Sequence, residues 1–594
     1  MKSQIALPQA PRLRSRMLCI AVGLLLGGNA ISAFAQDAAP SPNATVNLIR
    51  LMVKKGLITQ SEADGLVKQA NDEAAEARAT AAAQPAAVPT TTDGAQPGDV
   101  RVTYVPQSVR NEIRDQVKQE VVAQAKTEHW AEPNALPDWL DRITWYGDVH
   151  VRDESWLYSR NNSPFFVNYN EFNNSGPFDI NTITQGAKPP VLNSTQNRLN
   201  MLRIQAYMGM HVKLSDTIQA GIALASGDDN NPVSTTATLG GGLDKKDIWL
   251  NEAWIRWQPD QNFSLTAGRM PPPFMLTDLI FATELNFDGI AGRSQFPIND
   301  SLTTFGTVGA FPIEYTAPNS PDDAYSNNKN AGGDKWLTAA QFGLTWKFAT
   351  DAQWKVALAY YYFAHMQGAL STPCAIYTGI NYCSTDDDAP DFMQTGNTVF
   401  LLRDIIPNPS SPDNYAQPQL VGLSYNYHVA DLTNLIDFKI GATPMEIQAE
   451  YERNMAYHMM DAFDRYPDGL GVPINNYEGA VTTQGGTTTT TNGPYRSGPV
   501  GWLLRGIIGN PHPMAANEWN IALGYKYLQP DATLDGLTDQ NFHLGGTNAK
   551  GFILTADYGI APRTWLSARY YGAKQVYGPP FTLDVVQLEI STKF

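Results

Sequence analysis

The residues of this chain that are best placed for electrostatic chemistry surround a run of three prolines, residues 271–273. Proline lacks the N–H that a strand ladder needs, so the strand that carries Arg269 should end there and a loop should follow, from Met275 to Asp288. Three carboxylates stand on this loop: Asp278, Glu284 and Asp288. Charges that face each other across a water-filled passage create a field that orients and filters ions and polar solutes.

A facing wall of opposite charge is available in the flanking segments. The candidate wall residues are Arg203, Arg256, Arg269 and Arg293. Between Glu446 and Glu452, Glu450 belongs to a stripe of alternating glutamate and glutamine that adds negative charge. The alternative is that the arginines simply pair with acidic neighbours on the same wall, and the sequence leaves both interpretations open.

Catalytic chemistry finds no support in the sequence. The chain has no GxSxG, HExxH or phosphate-loop motif, and its eight histidines lack the spacing of metal ligands. Acidic patches at Asp228 with Asp229 and at 386–388 either bind divalent cations loosely or are solvated loop charge. We therefore predict no catalytic residue, no metal and no cofactor, and a protein that is not an enzyme.

The elements that must position these charges are strands with two different faces. In the last stretch, Leu583 to Phe594, an apolar set that includes Leu588 and Ile590 alternates with a polar set that includes Gln587 and Glu589. Alternate side chains of a strand point to opposite faces of the sheet, so one face is apolar and the other polar. This pattern fits either a lipid-facing and lumen-facing barrel strand or the edge of a soluble sandwich.

The same alternation of apolar and polar residues recurs from residue 143 to the end. The segments that show it are joined alternately by tight turns and by long polar connections. Long connections at 159–195, 367–416 and 459–498 alternate with short turns, as in outer-membrane barrels. The predicted strands begin near residues 143, 199, 217, 247, 262, 288, 302, 335, 352, 418, 444, 499, 517, 550, 564 and 582. The predicted fold class is an all-β transmembrane, antiparallel up-and-down barrel of about sixteen strands, although weak sixth, seventh and twelfth strands leave fourteen or eighteen open.

Segments before the barrel predict export and a small periplasmic extension. Residues 1–35 combine a basic start, a short apolar run and Ala-Phe-Ala, which indicates a signal peptide cleaved between Ala35 and Gln36; an uncleaved anchor helix is the alternative. Residues 36–73 predict a short helical pair, and 74–105 an Ala/Pro-rich linker. Residues 106–141 predict either an oligomeric coiled coil or a solvated spacer helix.

Composition narrows the partners. The formal net charge is −16, and it becomes more negative once the four basic residues of the signal leave, which argues against nucleic acid. The same negative charge slightly favours cations or polar neutral solutes as the species that pass. After Cys19 leaves with the signal, Cys374 and Cys383 remain in a polar loop of an exported protein, which predicts a disulfide between them.

Several segments resemble the bacterial putative-porin family. They are 47–62, 102–130, 134–148, SGDDNNP at 226–232, AGRMPPPF at 267–274, LNFDGIA at 285–291 and 527–551. The resemblance implies an outer-membrane barrel of a Gram-negative bacterium that admits small hydrophilic solutes, with a periplasmic N-terminal segment and a trimeric assembly. The final strand resembles barrel strands that end in an aromatic residue, which implies that Phe594 is a signal for the barrel assembly machinery.

The leading interpretation is thus a passive outer-membrane channel with a charged constriction. A structural or adhesive barrel with an occluded lumen is the alternative, because the outer loops are long and no motif defines a solute. An outer-membrane enzyme and a soluble β protein are the remaining rivals.

Overall fold

The computed structural model describes residues 140–594, apart from 182–187, 229, 317–332, 467–468, 480, 485–486 and 491–492, together with Lys68. The signal peptide with its cleavage site at Ala35 and Gln36, the linker and, apart from Lys68, the helical pair lie outside the described residues and stay predictions. So does the helical segment at 106–141, except that Leu140–Arg142 forms a 3-10 turn before the first strand. No helix in the described ranges has the length and apolarity needed to cross a membrane.

Sixteen long antiparallel strands in the described part of the chain form one closed sheet, because the first strand pairs with both the second and the last. They are β1 Ile143–Tyr158, β2 Arg198–Lys213, β3 Ile218–Ser226, β4 Ile248–Asp260, β5 Phe263–Met270, β6 Phe287–Pro297, β7 Leu302–Glu314, β8 Lys335–Ala349, β9 Ala352–Ala364, β10 Tyr427–Ile440, β11 Thr443–Asn454, β12 Val500–Gly509, β13 Trp519–Leu528, β14 Ala549–Ala561, β15 Thr564–Gln575 and β16 Thr582–Lys593. The predicted barrel with about sixteen strands is confirmed.

Alternation along each strand separates an outer apolar face from an inner polar face. In β16, Leu588 is 58% exposed on the outside, whereas Glu589 is 4% exposed and points inward. Phe594 continues the outer face, and its backbone pairs with Gly147 of β1. A side chain at position 147 would lie 2.5 Å from the Phe594 ring, so the glycine makes room for it. An apolar outer band of this kind is what hydrocarbon requires.

The predicted tenth strand was wrong by nine residues, since β10 begins at Tyr427 and not at 418. Residues 418–423 instead form short strands with other loop residues. Pro418–Gln419 pairs with Phe178–Asp179, and Val421–Leu423 pairs with Val399–Leu401. The apolar run that suggested a membrane strand is buried against loops, where a short strand suffices.

Short elements decorate the long connections. The helices are α1 Tyr169–Asn174, which Asn168 caps through its side chain, and α2 Asp461–Asp464; further 3-10 turns are Ile376–Thr378, Asp386–Asp388 and Asp535–Leu537. The remaining short strands are Ala237–Thr238, which pairs with β2, and Val481–Gln484, which pairs with Thr487–Thr490.

An apolar cluster lies inside the barrel, toward the end with the long connections. Phe281, Tyr361 and Val399 are fully buried within it. The Tyr361 ring lies edge-on to Phe281 and to Phe274, with centroids 5.2 and 5.4 Å away. Because these residues come from the strand wall and from two different loops, the cluster fixes both loops inside the barrel.

The longest connection, residues 365–426, contains the disulfide between Cys374 and Cys383. Beside it, the guanidinium Nε of Arg403 donates to Asp386 Oδ1 at 2.7 Å, and both residues are buried. The acidic run at 386–388 is therefore not simply solvated charge, because Asp386 pairs with Arg403 and Asp388 accepts from the Ala369 N–H at 2.8 Å.

Candidate functional site

Residues 271–286, here called the crossing segment, run from β5 across the interior of the barrel before the chain returns to β6. The Gln341 side chain on β8 bonds both the N–H and the C=O of Met275, at 2.8 and 2.9 Å. Farther around the wall, the Thr277 N–H donates to Glu450 Oε2 on β11 at 3.1 Å. The Ala282 N–H donates to the C=O of Leu537, in the connection between β13 and β14, at 2.9 Å. The crossing segment thus narrows the lumen.

Asp278 fixes the far end of the crossing segment to the wall by charge. Its two carboxylate oxygens each accept from a guanidinium nitrogen of Arg505 on β12, at 2.7 Å. Lys526 of β13 donates to the backbone C=O of Asp278 at 2.6 Å. Burial opposes ionisation, but the charges of Arg505 and Lys526 outweigh it and lower the pKa of Asp278. The carboxylate is therefore ionised.

Five charged side chains form a charge ladder on the inner wall of β1, β2, β15 and β16. They are Arg152, Glu154, Arg203, Arg569 and Glu589. Glu589 accepts from Arg152 Nε at 2.6 Å and lies 3.2 Å from Arg569. Glu154 accepts from Arg203 at 2.8 Å. Each carboxylate of the ladder thus has an arginine partner, so positive and negative charges alternate along this wall.

The charge ladder and the crossing segment come near each other around Tyr571 of β15. This side chain lies within electrostatic range of Arg152 and Arg569 of the ladder, and of Asp278 of the crossing segment. Asp539, from the connection between β13 and β14, acts on both Tyr571 and Arg505. The name constriction is used for this set of charges, which comprises the charge ladder, Asp278, Arg505 and Asp539.

Of the residues predicted from the sequence, Arg203 pairs with Glu154 in the charge ladder, and Asp278 pairs with Arg505 and fixes the crossing segment. Glu450 and Glu284 instead hold loops in place. Glu450 accepts from the N–H and the hydroxyl of Thr277. Glu284 accepts from the N–H of Thr235 at 2.7 Å and from its hydroxyl at 3.0 Å, which fixes the connection between β3 and β4.

Arg256 and Arg293 lie apart from the constriction and line a cavity of about 520 Å³ on the side of the short turns. Arg256 stacks 4.7 Å from the centre of the Trp254 ring, and its Nε donates to Thr266 at 3.1 Å. The prolines at 271–273 form another part of the lining. These two arginines flank the approach to the constriction from the turn side.

Arg269 and Asp288 do not face the lumen, and their assignment to a pore wall was wrong. They form an ion pair at 3.1 Å, with side chains 30% and 54% exposed. Their strand neighbours Met270 and Phe287 are buried in the interior cluster. Because side chains alternate along a strand, the pair lies on the outer face of the barrel.

The glutamate stripe is part of a buried acidic group behind the crossing segment. Asp431 of β10 and the β11 residues Glu450 and Glu452 are each at most 2% exposed. Both carboxylate oxygens of Glu452 have no hydrogen-bond partner among the described residues. Among those residues, no group of His, Cys, Asp or Glu is arranged to hold a metal ion.

Sequence reasoning missed several residues of the constriction, namely Arg152, Glu154, Arg505, Asp539, Arg569 and Glu589. A signal for the strand residues was present, because each occupies the inward position of an alternating strand. Their partners, however, are far apart in the chain: Arg152 and Glu589 are separated by 437 residues. Only the closed barrel brings them together.

The sequence profile of the putative porin family matches residues 42–594. The chain belongs to this family. The porin also resembles solved structures of the outer membrane channel DcaP of Acinetobacter baumannii and of OprB of Pseudomonas putida. DcaP has 10% identity, coverage of 76% of this chain and 97% of its own, and a TM-score of 0.32. OprB has 9% identity, coverage of 77% of this chain and 96% of its own, and a TM-score of 0.35.

A third similar structure is Salmonella typhi OmpF in complex with daunomycin, with 10% identity, coverage of 76% of this chain and 97% of that one, and a TM-score of 0.31. No curated protein sequence matches the porin. Its assignment as a channel of the Gram-negative outer membrane follows from the family, and its closed barrel is that of a porin.

Proposed function

We propose that ions and small hydrophilic solutes cross the porin between the crossing segment and the charge ladder, and that selection occurs at the constriction. The observation that carries the proposal is the ion pair between Asp278 and Arg505, which holds the crossing segment inside the lumen. Both side chains are about one-sixth exposed, so a passing solute meets charge that already has a partner. A field between fixed partners orients polar solutes without binding them tightly.

The selectivity that we propose is a slight preference for cations or polar neutral solutes. Glu154 and Glu589 each pair with an arginine of the charge ladder, whose three arginines leave it with one more positive than negative charge. The chain as a whole carries a net charge of −16. This excess of negative charge over the whole chain favours cations at both mouths of the lumen, and it outweighs the one excess arginine of the charge ladder.

The proposal includes a passive barrel that makes and breaks no bond, assembles as a trimer and carries its N-terminal segment in the periplasm. Phe594 would act as the recognition signal for the barrel assembly machinery. Support for this last role comes from its position, since its backbone pairs with Gly147 and its side chain continues the outer face of the closing strand.

A structural or adhesive barrel with an occluded lumen is the second candidate. The apolar cluster favours it, because Phe281, Tyr361 and Val399 bind two loops inside the barrel and leave less room for water. The two candidates differ in one measurable property, which is the passage of current.

The deciding experiment is single-channel recording in a planar bilayer, with the reversal potential measured under a salt gradient. The proposal expects discrete open steps and a reversal potential of the sign that cation preference gives. The double variant Arg269→Gln/Asp288→Asn is the matched control, because it removes an arginine and an aspartate from the outer face. A heat-modifiable barrel that passes no current would refute the channel and favour the occluded barrel.

The periplasmic segment is tested separately by deleting residues 45–128. A channel should keep its conductance without these residues, whereas an adhesive function that depends on them should be lost.

A further inference from the structure

The cavity of about 520 Å³ on the side of the short turns is lined by more positive than negative charge. Arg256 of β4 and Arg293 of β6 both contribute to its lining, and Glu252 is the one carboxylate among the described lining residues. The other polar lining groups are hydroxyls, amides and the His211 ring. Two guanidinium groups therefore share this cavity with a single carboxylate.

Glu252 is occupied by other partners. One of its carboxylate oxygens accepts from the hydroxyl of Tyr207, and the other accepts from Nε1 of Trp254 at 3.0 Å. Glu252 acts on Arg256 only from a longer distance, because no ion pair joins the two in the part of the chain that the structure describes. The positive charge of the lining is thus only partly compensated.

Both arginines keep donors that no protein group uses. Arg293 is exposed, and its side chain makes no hydrogen bond or ion pair within the described ranges. Arg256 spends its Nε on Thr266 at 3.1 Å and stacks on the Trp254 ring, so its two terminal nitrogens have no partner among the same residues. None of these free nitrogens is buried. They are therefore available to a solute inside the cavity.

The register of the sheet directs the two guanidinium groups toward each other. Arg256 lies opposite Thr266 of β5, and Arg293 lies opposite Ser264 of the same strand. Two strand spacings, about 10 Å, therefore separate the two arginine backbones across β5, whose inward side chains at these positions are small hydroxyls. Arg293 acts electrostatically on Arg256. Like charges placed in this way repel each other, and an anion between them relieves the repulsion.

A carboxylate matches this pair of arginines better than other anions do. The planar guanidinium group binds a carboxylate through two parallel N–H···O bonds. One ligand carboxylate together with Glu252 balances the two arginines, whereas a phosphate brings close to a second negative charge at pH 7. Phe263 and the prolines at 271–273 add apolar surface to the lining. The volume lies within the range of about 300–1,000 Å³ that is typical of sites for small organic ligands.

From this geometry we infer that the cavity is a binding site for small organic monocarboxylates. Arg256 and Arg293 hold the carboxylate, and the prolines contact the apolar part of the ligand. The inference rests on the proposed function, since a cavity in the lumen serves solutes that enter the channel. It adds carboxylates to the classes of solute proposed above and leaves the preference for cations at the mouths to the charge of the whole chain.

The test is calorimetric titration of sodium benzoate into the detergent-solubilised porin at pH 8, where histidine is ordinarily neutral. Benzoate should bind saturably, and acetate, which lacks the ring, should bind more weakly. Arg293→Gln should raise the Kd of benzoate about tenfold or more, because it removes hydrogen bonds from a charged donor. This variant should fold, since Arg293 makes no hydrogen bond or ion pair with the described residues, and heat-modifiable migration checks it. Arg256→Gln is the second variant and should weaken binding in the same way.

Arg563→Gln is the matched control, because Arg563 is exposed in the turn between β14 and β15 and the substitution removes the same charge on the same side of the barrel. Its Kd for benzoate should equal that of the wild type. A wild type without saturable heat, or an unchanged Kd in both cavity variants, would overturn the inference. An equal loss in Arg563→Gln would reduce the effect to net charge and would also overturn it. Tighter binding of inorganic phosphate than of benzoate would overturn the assignment to carboxylates.

Failure of the channel can be separated from failure of the site. If the folded barrel passes no current in potassium chloride, the proposed function fails, whereas benzoate binding that Arg293→Gln weakens still supports the site. If current passes and benzoate does not bind, the site fails and the channel stands. When both hold, benzoate should reduce the single-channel current saturably, and Arg293→Gln should raise the half-blocking concentration by the same factor as the Kd.

Discussion

Replacing Asp278 by asparagine should shift the ion preference of the channel toward anions. The variant keeps the shape of the side chain but removes the charge that compensates Arg505, whose guanidinium lies 2.7 Å from both carboxylate oxygens. Arg505 remains about 16% exposed in the lumen and then carries an uncompensated positive charge. The crossing segment keeps its bonds to Gln341 and Glu450, so it should stay in place.

The size of the effect follows from the charge and its screening. An ion that passes about 5 Å from a unit charge in water gains or loses about 0.8 kcal/mol, and a Debye length of about 10 Å lowers this to about 0.5 kcal/mol. Anions gain what cations lose, so the free-energy difference between a passing cation and a passing anion should change by about 1 kcal/mol. The cation-to-anion permeability ratio should therefore fall about fivefold.

The assay is the reversal potential under a gradient of potassium chloride at about 0.1 M mean salt, where screening is still moderate. In Asp278→Asn/Arg505→Gln both charges are gone, so the ratio should return to within about twofold of the wild type. An unchanged reversal potential in a heat-modifiable Asp278→Asn barrel would mean that ions do not pass Asp278, and the constriction would have to lie elsewhere.

Three further predictions concern stability. Phe281→Ala opens a cavity in the fully buried apolar cluster and should cost about 3–5 kcal/mol, visible as a lower urea midpoint; an unchanged midpoint would mean that the cluster does not stabilise the barrel. Replacing Cys374 and Cys383 by serine should leave conductance intact but make residues 365–426 more sensitive to protease, and equal cleavage of both proteins would contradict this. Burial raises the pKa of Asp535 to about 7, above its unfolded value near 3.8, so its ionisation opposes folding. As the pH rises from about 4 to about 7, the wild type should therefore lose stability relative to Asp535→Asn. If the urea midpoints of the two proteins differ by the same amount at pH 4 and at pH 8, the prediction is refuted.

The barrel was predictable because its signal is local. Alternation of apolar and polar residues is visible within one strand, and it placed all strand starts except the tenth within two residues of their positions. The tenth failed because residues 418–423 are as apolar as a membrane strand, although they form two short strands that pair with Phe178–Asp179 and with Val399–Leu401 among the loops. Burial among loops and burial in lipid leave the same local signal.

The constriction was only partly predictable. Arg269 was assigned to the lumen, although it lies two and four residues after Ala267 and Leu265 and so points to the same outer face as these exposed residues. Following the alternation to the end of β5 would have corrected this. The partners of Arg152 and Asp278 could not have been found in this way. Whether an inward charge meets an opposite one depends on which strands become neighbours and where the crossing segment ends.

The pairing of β1 with β16 closes the barrel, and it also unites Arg152 with Glu589 across 437 residues of chain. Contacts of such sequence separation form late, because the chain between them must be ordered first. Until the seam is shut, Glu589 keeps only Arg569 of the neighbouring β15, and Arg152 lacks the carboxylate that it contacts at 2.6 Å. A polypeptide stalled short of closure would thus expose Arg152 along its open β1 edge, a feature by which quality control in the periplasm could distinguish it from the finished barrel.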